Sequence, residues 1–334
     1  MKTDRYIEDK SSKVEIGIPI EGETGVIDFN KLRSGGFIKQ RQKDLFTVRC
    51  RVPGGRLPVS KLKKIVEVAE KYGGDYVHLT IRMSLEIPYV NYKDFGVVVD
   101  ELAEADQKIA SCGPRVRVPR ACSGCEYNPN GLVDTQQMTR LIDERYFGSP
   151  CPHKFKIDIS GCPLDCMHSN EADLGLQGAI VPFWDPEGCI GCTLCAKACK
   201  EDAIHSDDEG RPMFRPEKCI GCADCIRVCP TSSWIESARG YTIRIGGKHG
   251  RHPLHGTIVA KCLPEDRVPA LIEKTLEWYN GNVEKDEHPR IGTLLRKTGM
   301  ESYMNSVKDI LGEYAAQNPR IPEPIILHPE EEIE

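Results

Sequence analysis

The sequence predicts an α+β fold interrupted by a small cysteine-rich domain. Three observations carry that expectation. Period-2 and helical apolar patterns follow one another between residues 44 and 160. The sixteen cysteines are clustered rather than scattered. Residues 186–232 form an internal repeat, in which the spacing that starts at Cys189 starts again at Cys219.

Residues 1–40 read as a polar N-terminal arm that ends near Phe37 and Ile38. Residues 45–53 alternate, with Phe46, Val48, Cys50 and Val52 on one face of a strand. Residues 59–73 space Leu62, Ile65, Val66 and Ala69 as a helix does, with Ser60 as the expected N-cap and Gly73 as the stop. Residues 75–88 predict one or two further strands, and 91–106 a second helix. This order of strands and helices predicts the α+β layer. Residues 112–131 mix a short strand with a Gly/Pro-rich loop, and 134–148 form a helix capped by Asp134. A strand over 153–160 points Phe155, Ile157 and Ile159 inward. Residues 239–253 run from a strand into a Gly-rich basic loop, and 265–281 form a helix. The tail over 319–334 is rich in Pro and Glu.

A net charge of −5 gives no overall basic field for nucleic acid. No apolar run reaches the ~18 residues of a membrane span. The charged start has no apolar signal core, which predicts a cytoplasmic location. In a reducing compartment, clustered cysteines read as metal thiolates rather than disulfides.

Cys189, Cys192, Cys195 and Cys199 follow C-x2-C-x2-C-x3-C, and Cys219, Cys222, Cys225 and Cys229 repeat it, with Pro230 next. This is the bacterial two-cluster ferredoxin spacing, in which the fourth cysteine of each run ligates the other cluster. One [4Fe–4S] cluster is therefore expected on Cys189, Cys192, Cys195 and Cys229. The other is expected on Cys219, Cys222, Cys225 and Cys199. Trp184 and Trp234 bracket the repeat and are expected to pack it onto the core.

A second group stands outside the repeat. Cys122 and Cys125 form C-x2-C, and Cys162 and Cys166 form C-x3-C directly after the 153–160 strand. Four soft ligands in two pairs suit a third [4Fe–4S] cluster, and they also suit structural zinc. Basic residues recur nearby in sequence: Arg82, Arg115 and Arg117, then Lys154 and Lys156. Converging guanidinium and ammonium groups make an anion site. Cys50, Cys112 and Cys262 read as buried small hydrophobes, and Cys151 as a packing residue. His249, His252 and His255 are metal-like in spacing, but a Gly/Pro loop seldom fixes three ligands. No dinucleotide fingerprint is present, so electrons are expected from a separate donor protein or subunit.

With these residues in view, the chain resembles the siroheme-dependent sulfite and nitrite reductases. The likeness is to the small subunit of anaerobic, dissimilatory-like sulfite reductase with an inserted ferredoxin domain. The resemblance covers about 44–280 and rests on RVPGG, HLTIR, CGPRVRV, GLVDTQ, PHKFKI, SGCPLDC, ADLGLQG, the doubled cysteine run and GYTIRIGGKHGRHP. It implies a single-copy sulfite/nitrite reductase fold: a ferredoxin-like half-domain (41–110) and a siroheme and [4Fe–4S] domain in two parts (111–184 and 236–285). The inserted two-cluster ferredoxin domain occupies 185–235, and a C-terminal segment 286–334.

The resemblance implies three [4Fe–4S] clusters and siroheme, with Cys162 a cluster ligand and Cys166 the thiolate that bridges to the siroheme iron. It places substrate binding on Arg82, Arg117, Lys154 and Lys156, with sulfite or nitrite as the anion. Arg115, Lys248 and Arg251 are the cations expected on the siroheme carboxylates. One departure stands out. The family pattern is C-x5-C, and counting from Cys122 puts Asn128 at the second position. Either Cys125 takes over the missing ligand, or the chain is a divergent, siroheme-free electron-transfer subunit. Because some members of the family build one site from two copies of this fold, a homo-oligomer or sister subunit is expected.

Overall fold

The computed structural model describes residues 6–9, 14–17, 29–284, 287–317 and 319–322. Most of the expected arm, and the Glu-rich tail, lie outside the described residues. The chain divides into two compact units. The first comprises residues 1–121, 136–157 and 279–294, and the second 122–135, 158–278 and 295–334.

In the first unit, β1 (Tyr6–Asp9) and β2 (Val14–Gly17) form an antiparallel hairpin. Helix α1 (Phe29–Ser34) leads into a four-stranded antiparallel sheet. Its strands are β3 (Phe37–Lys39), β4 (Leu45–Arg49), β5 (His78–Leu79) and β6 (Leu85–Asn91), in the order β3-β4-β6-β5. Helices α2 (Val59–Tyr72) and α3 (Phe95–Glu104) complete this α+β layer. Val48 and Ile87 from the sheet are fully buried with Ile65, Val68, Val98 and Leu102 from the helices. All four residues of the 45–53 alternation are buried, although regular pairing stops at Arg49 and Cys50 makes only an isolated bridge to Ile109.

Two local expectations shift. Pro58 is the N-cap of α2, so Ser60 falls inside the first turn and no side chain caps the helix. The second helix starts later than expected because Asn91 caps a 3-10 turn over Tyr92–Asp94, which then feeds α3. Leu32 and Phe37 are buried, so the residues read as the end of an arm contribute to this core.

β7 (Arg120–Ala121) and α4 (Thr135–Tyr146) follow. Arg51 and Asp143 are both buried here, with Arg51 Nε donating to Asp143 Oδ2 at 3.0 Å. The guanidinium also lies 3.8 Å from the centroid of the Phe147 ring.

In the second unit the strands are β8 (Ile157–Ser160), β9 (Leu174–Trp184), β12 (Trp234–Ile245) and β13 (Thr257–Leu263), adjacent in the order β13-β12-β9-β8. β9 and β12 pair antiparallel along their whole length, from Trp184 opposite Trp234 to Leu174 opposite Ile245. Between those tryptophans the chain makes α5 (Leu194–Ala198), the hairpin β10 (Ile204–Ser206) and β11 (Pro212–Phe214), and α6 (Asp224–Val228). Helices α7 (Val268–Gly281), α8 (Ile291–Thr298) and α9 (Met300–Leu311) follow. The strand expected over 153–160 is regular only over Ile157–Ser160, because Phe155 instead makes an isolated parallel bridge to Val116.

Asp143→Ala removes the carboxylate that faces the buried Arg51 guanidinium. It is expected to destabilise the protein by about 3–5 kcal/mol, read as a lowered midpoint in denaturant unfolding.

Candidate functional site: thiolate groups and a basic cluster

The cysteine repeat folds into two matching turns. Gly191 and Gly221 take φ of 67° and 73°. A Cβ on Gly191 would meet Glu209 O at 2.4 Å, and one on Gly221 would meet Ile180 O at 2.5 Å, so glycine is required for conformation and for space. The turns create two cavities. One is lined by Cys189, Cys192, Cys195 and Cys229, with Trp234 on its wall. The other is lined by Cys199, Cys219, Cys222 and Cys225, with Phe214 on its wall. Each cavity thus takes three cysteines from one repeat and one from the other.

Burial pushes the Cys222 thiol up to about 11 and the Cys225 thiol up to about 12. Both are therefore protonated at neutral pH unless a cation replaces the proton, as a metal centre does. Among the described residues, no three His, Cys, Asp or Glu side chains converge tightly enough to hold a single metal ion. A cubane takes one thiolate per iron and so fits four spaced cysteines better than tetrahedral zinc does.

The third group forms where β8 ends. Cys122 Sγ accepts from Gly161 N at 3.1 Å and from Gly124 N at 3.4 Å. Burial raises the Cys162 and Cys166 thiols, and the neighbouring Cys122 raises both further. The structure therefore brings Cys122, Cys162 and Cys166 together. Their loop is pinned by Asp165, whose Oδ1 accepts from Ser160 Oγ at 2.6 Å and from Ser169 N at 2.9 Å. Cys166 is exposed and Cys162 is buried. Cys125 is exposed on the adjoining turn, where its N–H donates to Val133 O at 3.0 Å. Asn128 is engaged within its own turn: Oδ1 accepts from Asn130 N at 3.0 Å and its carbonyl from Gly131 N at 2.9 Å.

One strand touches all three groups. Gln177 Nε2 donates to Pro163 O, between Cys162 and Cys166. A Cβ on Gly178 would meet Gly161 O at 2.4 Å, so the loop packs directly on β9. Ile180 N donates to Gly221 O at 3.1 Å, between Cys219 and Cys222. Pro182 lines that second cavity, and Trp184 pairs with Trp234 of the first.

The basic residues belong to the first unit. Val116 and Phe155, both fully buried, form the parallel bridge, with Arg117 N donating to Phe155 O and Phe155 N to Arg115 O. Arg115 and Arg117 flank one side of the bridge and Lys154 and Lys156 the other, which draws the four together. Arg82 is tied to the same segment by Nη2 donating to Val118 O at 2.6 Å. Burial lowers the Arg117 pKa, and its Nε is buried without a hydrogen-bond partner.

Sequence reasoning overlooks His153. Burial, then Arg290, Lys154, Arg117 and His288, hold it down at about 4. Its Nδ1 accepts from Lys154 N at 2.8 Å, which fixes a neutral ring with the proton on Nε2. Burial is the main cause of the lowered pKa, and the neighbouring cations add to it.

In the second unit, Lys248 and Leu254 exchange both backbone hydrogen bonds and close the basic loop. His249 pairs with Glu171, and His255 Nε2 lies 3.8 Å from the same carboxylate, which accounts for their spacing without a metal. Arg251 is exposed at the loop tip.

These layers and clusters define a class of redox fold, and comparison with known proteins specifies it. The chain belongs to the nitrite and sulfite reductase family. Residues 112–314 match the nitrite and sulphite reductase 4Fe-4S domain, and 38–105 match the nitrite/sulfite reductase ferredoxin-like half domain. It is 34% identical to the coenzyme F420-dependent sulfite reductase of Methanocaldococcus jannaschii over 83% of this chain, spanning 44% of that protein. It is 30% identical to an anaerobic sulfite reductase subunit of Salmonella typhimurium over 69% of this chain and 73% of that protein. Its fold matches the crystal structure of dissimilatory sulfite reductase I with a TM-score of 0.65 at 19% identity, covering 86% of this chain and 74% of that one.

His153 yields a pH prediction. Its folded pKa lies below its ordinary 6.5, so protonation opposes folding. Its contribution to stability is therefore complete above about 6.5 and is lost as pH falls toward about 4. A proton NMR titration should place its midpoint near 4, and bound oxyanion should raise it.

Proposed function

We propose that this chain is the siroheme- and iron–sulfur-dependent catalytic component of a sulfite reductase, reducing sulfite to sulfide. The observation that carries the reading is the succession of three thiolate groups along β9 in a chain of this family. On this reading each four-cysteine cavity holds a [4Fe–4S] cluster, and Cys122, Cys125, Cys162 and Cys166 hold a third. Cys125 serves in place of the absent cysteine at Asn128. Cys166 is exposed and would be the thiolate that holds siroheme beside that cluster. Siroheme coupled to that cluster supplies the multi-electron reduction.

The chain's own residues do the rest. Arg82, Arg117, Lys154 and Lys156 attract the oxyanion and offset its charge as it is reduced. The two lysine ammonium groups can donate protons to departing oxygens, whereas His153 is neutral at pH 7 and is not an acid there. Arg115, Lys248 and Arg251 supply cations for the siroheme carboxylates. Electrons come from a donor protein or subunit, consistent with a chain that spans 44% of the F420-dependent relative. Among the described residues no helix is long and apolar enough to cross a membrane, and we place the protein in the cytoplasm, as a homo-oligomer or with a sister subunit. Nitrite is the second candidate substrate, since the family covers both anions and the same basic cluster suits either.

Steady-state rates with reduced viologen test the substrate. Sulfite should be reduced to sulfide, and turnover confined to nitrite would reject the assignment. Lys154→Ala should keep its cofactors and lose turnover by about a hundredfold, by analogy with removal of other preorganised charge-stabilising groups. Cys125→Ser should lose the third cluster's iron while retaining that of the two cavities. Full iron content in this variant would show that Cys125 is not a ligand.

A further inference from the structure

The wall of the first cavity carries a buried indole donor that faces the sulfur of Cys195, one of the cavity's own cysteines. Trp234 is 2% exposed and its indole Nε1 is buried without a hydrogen-bond partner. A buried N–H left unpaired is costly, and such groups in a native fold call for an explanation. This one lines the cavity of Cys189, Cys192, Cys195 and Cys229 and stands beside Cys195. Two other polar side chains of the lining are engaged with each other, Thr231 Oγ1 and Ser233 Oγ lying 2.9 Å apart.

The ring has little freedom to turn away. Its backbone is locked opposite Trp184 in the β9–β12 register, and Asp185 N donates to Ser233 O at 2.7 Å one residue before it. Its face is fixed by Phe214, with ring centroids 5.4 Å apart and planes at 80°. Phe214 lines the second cavity, so this aromatic pair stands between the two. The first cavity therefore presents four sulfurs and one rigid, water-excluded donor directed at one of them.

We propose that the Trp234 indole N–H donates to a sulfur of the iron–sulfur cluster in this cavity and thereby raises that cluster's reduction potential. The proposal rests on the reading of the cavity as a [4Fe–4S] site. A hydrogen bond to a cluster sulfur stabilises the reduced, more negative state more than the oxidised one. Trp234 is thus a positioning and tuning residue: it ligates no iron and touches no substrate. The tuned cluster holds its arriving electron more firmly, while the cluster in the neighbouring cavity lacks this donor.

The test is an EPR-monitored redox titration of the anaerobic holoenzyme. Cys192→Ser identifies the signal of the first cavity by abolishing or altering it. Trp234→Phe should keep wild-type iron content and lower the midpoint potential of that signal alone. Trp184→Phe removes an equally unpaired indole N–H that does not line the cavity, and should leave the potential unchanged. If the smaller Phe prevents accumulation, benzothienylalanine at position 234 replaces the N–H by sulfur and keeps the ring shape. An unshifted potential in either iron-replete variant overturns the donor role. An equal shift in Trp184→Phe overturns it too, because packing alone would then explain the effect. Unchanged iron and EPR spectrum in Cys192→Ser would instead reject the cavity as a cluster site, and the proposal with it.

Discussion

The pairing of β9 with β12 is the constraint on which the rest of the second unit depends. Its register runs unbroken in direction from Trp184 opposite Trp234 to Leu174 opposite Ile245, with a single irregularity near Ala238. Residues 185–233 can leave and return to the sheet because both ends are fixed by this pairing. The same strand fixes the cysteine loops through Gln177, Gly178 and Ile180. A one-residue slip would send alternate side chains to the other face. Gly178 could not then face Gly161, and the order of the three thiolate groups would be lost.

Electrostatics in the two units have opposite characters. Burial in the second unit drives thiols such as Cys222 and Cys225 toward their protonated form, so they bind strongly only to a group that displaces protons. The first unit concentrates cations around the Val116–Phe155 bridge and holds His153 uncharged.

The parts of this arrangement that rest on short-range spacing were legible in the sequence. The doubled cysteine run partitions into two cavities as its spacing predicts, because ligands two or three residues apart are positioned by one turn. The period-2 pattern of Phe46, Val48, Cys50 and Val52 marked a buried face. Strand β9 carried no such mark, because its residues are buried on both faces over most of its length and a doubly buried strand shows no alternation. The Val116–Phe155 bridge was also invisible, since it joins positions distant in sequence through a single pair. The aim of the Trp234 indole N–H at Cys195 and the uncharged state of His153 are products of packing, and no pattern of residue types announces them. Asn128 shows the reverse case: the sequence flagged the departure, and the structure places the exposed Cys125 on the turn beside it.

The most direct test of the central claim is iron analysis with an ultraviolet–visible spectrum. The protein would be purified anaerobically from a host that makes siroheme. The account predicts Soret and red-region tetrapyrrole bands above a broad iron–sulfur shoulder, with about thirteen iron atoms per chain from three cubanes and one siroheme. About eight iron atoms and no tetrapyrrole bands would contradict it and leave an electron-transfer subunit.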